Sequence, residues 1–70
     1  MLNPVSRKIL IRKLRKIGFD GLFPATRHEY MKLGKQKIFI PNPHGKDIGI
    51  PLLKRIIKQV GISEKKFKNL

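Results

Sequence analysis

Two histidines stand in this 70-residue sequence, and they are the only side chains that ordinarily change charge near neutral pH. His28 lies in Thr26-Arg27-His28-Glu29-Tyr30-Met31-Lys32, with an arginine beside it and Lys32, Lys35 and Lys37 soon after. A histidine in that company suits work on an anion, because it can take or give a proton while the cations hold negative charge. His44 stands between Pro43 and Gly45. It reads as a loop residue that holds backbone geometry, or as a second proton-transfer group. The four acids are scattered and cysteine is absent, so no ligand cluster forms at metal-binding spacing and neither a metal nor a cofactor is expected. Asp47 is expected to pair with a lysine or to cap a helix. There is no Ser-His-Asp arrangement in context and no glycine-rich nucleotide loop.

The charge balance names the anion's class. Seventeen Lys and Arg against four acids give a net charge of +13. Self-repulsion of that size opposes folding and implies a polyanionic partner, nucleic acid first, then an acidic protein or an anionic lipid surface. No apolar run approaches the ~18 residues of a membrane span. The leading Met1-Leu2-Asn3-Pro4 does not read as a signal peptide, because no long apolar block follows the first basic residues. The expectation is one small cytoplasmic domain over residues 1–70 with no membrane role.

The elements that must position these residues can be read in order. Ser6 is a good N-cap for a helix to about Ile17, with Leu10, Leu14 and Ile17 in one apolar stripe, Ile9 beside them, and Lys8, Arg12 and Arg15 opposite. Gly18 closes it, with Phe19 as the apolar contact. Asp20 to Phe23 is a short strand stopped by Pro24. A second strand follows Thr26, a turn falls at Leu33-Gly34-Lys35, and a third strand ends at Pro41. The period of two places Met31, Leu33, Ile38 and Ile40 against the helices. It leaves His28, Tyr30, Lys32, Lys37 and Phe39 outside, with Phe39 and Tyr30 as alternative core residues. Aromatics among cations suit base stacking and phosphate contact. Residues 41–47 form a shaped loop. A second helix starts around Pro51, buries Leu53, Ile56, Ile57 and Val60 with Leu52, exposes Lys54, Arg55 and Lys58, and ends at Gly61. Ser63 caps a third helix through about Asn69, whose Phe67 folds back on the core. The expected fold class is α+β: α-β-β-β-α, a three-stranded antiparallel sheet with two helices on one face and a short C-terminal helix, as in double-stranded-RNA-binding-like (dsRBD-like) domains.

Four segments carry a family resemblance: Leu14 to Phe19; Arg27-His28-Glu29-Tyr30-Met31; Ile40-Pro41-Asn42-Pro43-His44-Gly45-Lys46-Asp47-Ile48; and Leu52 to Ser63. In this order and at these spacings the chain, from Ser6 to about Phe67, resembles the HicA toxins of bacterial and archaeal toxin–antitoxin pairs. The resemblance implies a ribosome-independent mRNA interferase of dsRBD-like fold, which cleaves RNA with a histidine just after a short glycine-containing turn. That histidine maps to His28. It also implies mRNA as the substrate and a HicB-type antitoxin as the protein partner, which covers the active face, supplies the oligomeric state and joins a DNA-binding domain that represses the operon. Many members carry Gly-Gly or Gly-Ser shortly before the histidine. Here Ala25-Thr26-Arg27 stands instead, with less backbone freedom and an added cation.

RNA brings its own nucleophile, the 2′-hydroxyl, so the chemistry asks little of the protein. It must move protons, which a histidine can do for ~10²–10⁴-fold, and stabilise the charged phosphorane. On this reading His28 is catalytic, Arg27, Lys32, Lys35 and Lys37 contact RNA, Tyr30 stacks, and His44 is an auxiliary candidate. The competing readings are a non-cleaving RNA-binding module of the same fold, a small ribosomal or DNA-binding protein, and an interaction piece for an acidic partner.

Overall fold

The computed structural model describes residues 2–70; Met1, the first residue of the leading segment read above, lies outside them. The described elements are α1 (Arg7–Lys16), β1 (Asp20–Phe23), β2 (Tyr30–Leu33), β3 (Gln36–Phe39), α2 (Ile50–Val60) and α3 (Glu64–Lys68). The sheet is antiparallel in the order β1-β2-β3, the α+β dsRBD-like layout that the sequence predicts. No helix among the described residues is long and apolar enough to cross a membrane.

The caps set the helices. The Ser6 hydroxyl accepts from the Ile9 N–H at 3.1 Å, satisfying one of the free donors at the start of α1. At the other end Gly18 takes φ +106, which lets the Phe19 N–H reach back to the Leu14 carbonyl at 3.1 Å while the Phe19 ring enters the core. Ser63 caps α3 in the same way as Ser6, accepting from Lys66. The N-cap of α2 is Gly49, without a side-chain bond. Asp47 therefore neither caps it nor, among the described residues, forms an ion pair, the single such pair being Arg7–Glu29.

One core joins both helices to one face of the sheet: Leu10 and Leu14 from α1, Met31 and Ile38 from the sheet, Leu53 and Ile57 from α2. Phe67 closes it from α3. A short antiparallel bridge, Val5 with Ile48, ties together the segments that enter α1 and α2. Tyr30 and Phe39 fall on the outer face, Phe39 with 53% of its surface exposed. Leu33 corrects the expected core: it is 43% exposed, because the β2–β3 turn carries it past the helices to lie against Gly18. Ile9 and Leu52 are exposed as well.

The residue that takes the vacant place in the α1 stripe is charged. Lys13 is only 7% exposed, and its ammonium donates to the carbonyls of Phe67 at 2.9 Å, Lys68 at 3.2 Å and Leu70 at 3.4 Å. It also lies 5.0 Å from the centroid of the Phe67 ring. Its stem packs in the core while its head holds the last carbonyls of α3.

Candidate functional site

The site begins where β1 runs out of partners. The β1–β2 ladder pairs Asp20 with Lys32 and Phe23 with Tyr30, with a register shift between. Gly21 allows that shift: at φ +129, a Cβ there would stand 2.9 Å from the Tyr30 carbonyl oxygen. After Phe23 comes Pro24, which has no N–H to continue the ladder. Residues 24–28 therefore leave the sheet, Glu29 keeps only a bond on the third-strand side, and β2 starts at Tyr30. His28 is thus not a strand residue, as the alternation suggested, but an exposed residue in the bend just before the strand.

The bend is fastened at its far end. The Ile40 N–H donates to the Glu29 carbonyl at 2.9 Å, extending the β2–β3 pairing by one step. The guanidinium of Arg7, the first residue of α1, donates through Nη2 to Glu29 Oε1 at 2.7 Å and through Nε to the Pro41 carbonyl at 3.2 Å. One side chain thereby connects α1 to the residue after His28 and to the segment that follows β3.

His28 borders two concavities. The first, of about 410 Å³, lies between the end of β3 and α2 and is lined by His28, Phe39, Pro41, Arg55, Ile56 and Gln59 together with Leu52. The second, of about 430 Å³, is lined by Ala25, Thr26, Arg27, His28 and Phe39. The imidazole and the Phe39 ring are shared by both, with Arg55 on one side and Arg27 on the other. Ala25 and Thr26 form part of the second wall, where the family resemblance leads one to expect glycine.

Behind this pair the outer face of the sheet carries an aromatic row. Phe23 and Tyr30 have ring centroids 5.5 Å apart, and Tyr30 and Phe39 5.8 Å. Lys37 Nζ stands 4.8 Å from the Tyr30 centroid. Lys32 and Lys37 are direct cross-strand partners, a like-charge pairing that opposes the sheet unless an anion lies over it. Lys35 is exposed in the turn. Of the expected site residues, then, Arg27 lies beside His28, whereas Tyr30, Lys32, Lys35 and Lys37 line neither cleft, Tyr30, Lys32 and Lys37 lying on the adjoining face and Lys35 in the turn. His44 also lines neither. It sits in the neighbouring loop at φ 55, and its N–H donates to Asn42 Oδ1 at 3.3 Å.

Arg55 and Gln59 were missed, since Arg55 reads in the sequence as part of a solvated face with Lys54 and Lys58. The available signal was the spacing Leu52, Arg55, Ile56, Gln59, which keeps all four on one stripe of α2. The lower end of that stripe is fixed by the Gln36 side-chain amide, which donates to the Gln59 carbonyl. Among the described residues no three of His, Cys, Asp or Glu converge.

The fold and this site define a small α+β domain of dsRBD-like fold, with an exposed histidine flanked by arginines at the edge of an aromatic, cationic sheet face. A family model described as the HicA toxin of bacterial toxin–antitoxin matches residues 7–62, from the start of α1 to just past α2, and the chain belongs to that family. A search of curated proteins finds no match.

Proposed function

We infer that this toxin is a metal-independent endoribonuclease acting on mRNA, with His28 as its proton-transfer group. The observation that carries the reading is the position of His28, exposed at the junction of two clefts with an arginine on each side. In the reaction the substrate's 2′-oxygen forms a bond to the neighbouring phosphorus and the bond from phosphorus to the 5′-oxygen breaks. The products end in a 2′,3′-cyclic phosphate and a 5′-hydroxyl. His28 takes the proton from the 2′-hydroxyl or delivers one to the leaving oxygen. Arg27 and Arg55 balance the charge that develops on the phosphorane. Phe39 and Tyr30 offer ring faces to unstacked bases, and Lys32, Lys35 and Lys37 meet flanking phosphates. His44 has the role of shaping its loop. A HicB-type antitoxin holds the activity in check by covering this face.

Ala25 and Thr26 in the wall of the second cleft favour one alternative, an RNA-binding protein that does not cut. A single experiment separates the two. The protein and its His28→Ala variant are incubated in EDTA with a structured mRNA and with a copy bearing one 2′-deoxy nucleotide at the cleavage position. Cleavage by the parent alone, abolished at the deoxy position, is the expected result. Intact RNA with altered mobility gives the alternative, and equal cleavage by both proteins sinks the assignment of His28.

A further inference from the structure

A second concavity system lies away from His28, along α1. A groove of about 840 Å³ runs between this helix and β1, with Ile11 and Leu22 among its lining residues. Its walls are two rows at helical spacing: Arg7 and Arg15 flanking Ile11, and Lys8, Arg12 and Lys16 beside them. The first row is already engaged. Arg7 is bonded to Glu29 and Pro41, and the Arg15 guanidinium donates to the Gly21 carbonyl at 2.7 Å. The second row has no partner among the described residues: all three side chains are exposed, and none donates a side-chain hydrogen bond or forms an ion pair there.

This arrangement works against the helix that carries it. Lys8 is the second residue of α1 and faces the positive end of the helix dipole, and the first turn holds no acid. Lys8, Arg12 and Lys16 repeat at four-residue intervals, so three like charges stand roughly 6 Å apart along the axis. Lys16 stands in the last turn, where the dipole favours a cation, but the repulsion along the row and the misplaced Lys8 meet no counter-charge among the described residues, which points to one from outside. The charges form an evenly stepped row, which matches the repeating phosphates of a nucleic acid strand better than the irregular acids of a folded protein. The aliphatic floor of Ile11 and Leu22 can receive sugar edges. The row also begins next to the residue that holds Glu29, so its near end adjoins the His28 bend.

We propose that Lys8, Arg12 and Lys16 form a phosphate track on which the RNA engaged at His28 continues, making α1 a second part of the RNA-binding surface. This rests on the RNA reading above, and the test separates the two. In the His28→Ala background, binding of a fluorescent single-stranded RNA is measured by anisotropy across a salt series. The comparison is with the triple variant Lys8→Gln/Arg12→Gln/Lys16→Gln and with a control of equal charge loss, Lys54→Gln/Lys58→Gln/Lys65→Gln. Each phosphate contact on a single strand contributes ~0.7 to the slope of log affinity against log salt, so three contacts make the slope shallower by about 2 in the α1 variant. The control keeps most of the slope, and Lys8→Arg/Arg12→Lys/Lys16→Arg restores it, which excludes misfolding as the cause. An unchanged slope in the α1 variant overturns the track while leaving the RNA reading intact. So does an equal loss in the control, or capture of polyglutamate by the α1 row with RNA binding unaffected. Failure of the parent to bind RNA at all removes both.

Discussion

Arg7 gives the sharpest test of how the His28 bend is held. Replacing it with glutamine removes an ion pair whose side chains are 25% and 51% exposed, together with the bond to Pro41. An exposed pair of this kind is worth ~0.2–1 kcal/mol, and the part-buried bond to the carbonyl adds about 1 kcal/mol. The sum, about 1–2 kcal/mol, lowers Tm by roughly 4–16 °C at the ~4–8 °C per kcal/mol expected of a domain this small. The cost to activity is greater in proportion. Misplacing a reacting group by about 1 Å can reduce the rate ~10²-fold, and Arg7 fixes both the residue after His28 and the segment just beyond β3. We expect Arg7→Gln to lower kcat by ~10–10²-fold with a smaller change in KM. Glu29→Gln discriminates this role from direct RNA contact. If Arg7 positions the bend through Glu29, the glutamine at 29 lowers kcat as well, even though it removes an acid from beside a polyanion. If Arg7 serves instead to bind RNA, freeing it from Glu29 tightens binding and leaves kcat unchanged. Steady-state cleavage of a fluorogenic RNA, paired with thermal melts by circular dichroism, measures both quantities. Loss on Arg7→Gln with gain on Glu29→Gln would refute the positioning role.

Two stability predictions follow from the fold. Lys13→Met keeps the buried stem but strips the ammonium from three carbonyls; one charge-assisted bond is worth ~1.5–3 kcal/mol, partly offset by relief of charge burial. We expect a net loss of about 1–2 kcal/mol at neutral pH, read from chemical denaturation; equal stability would show that water replaces the ammonium at no cost. Burial first, then the charges of Arg12 and Lys16, hold the Lys13 pKa below the ordinary 10.5. The unfolded chain then binds that proton more tightly than the folded one, so the parent gains on the methionine variant as pH climbs through the interval just below 10.5. Gly21→Ala sets a methyl group 2.9 Å from the Tyr30 carbonyl and 3.2 Å from Met31 Cα, where backbone must move. A cost of ~1–3 kcal/mol should appear as a lower urea midpoint, and an unchanged midpoint would mean that β1 shifts freely.

Much of this architecture is local and could be read from the chain. The apolar stripes of α1 and α2, and the caps at Ser6, Gly18, Gly61 and Ser63, act within a few residues of where they stand. The misreadings are non-local. Period-two alternation runs through His28 as smoothly as through Tyr30, and only the loss of a β1 partner after Phe23 ends the ladder between them. Leu33 has the right parity for the core, but no helix extends over the hairpin tip. Lys13 occupies an apolar position in the stripe Leu10, Lys13, Leu14, Ile17, and its meaning depends on a C-terminal turn more than fifty residues away. At the candidate site the histidine and Arg27 are visible as neighbours in sequence. Arg55 is not, because α2 approaches the bend only through the tertiary fold.

The aromatic row has a practical consequence of another kind. The chain contains one tyrosine and no tryptophan, so Tyr30 is its sole strong ultraviolet emitter. That fluorophore is built into the outer face, between Phe23 and Phe39 and beneath the Lys37 ammonium. A base laid on the row, or a protein cap that seals it, changes the surroundings of Tyr30 directly, whereas a ligand confined to α1 does not. The unlabelled protein therefore carries its own optical probe of which surface a partner has reached.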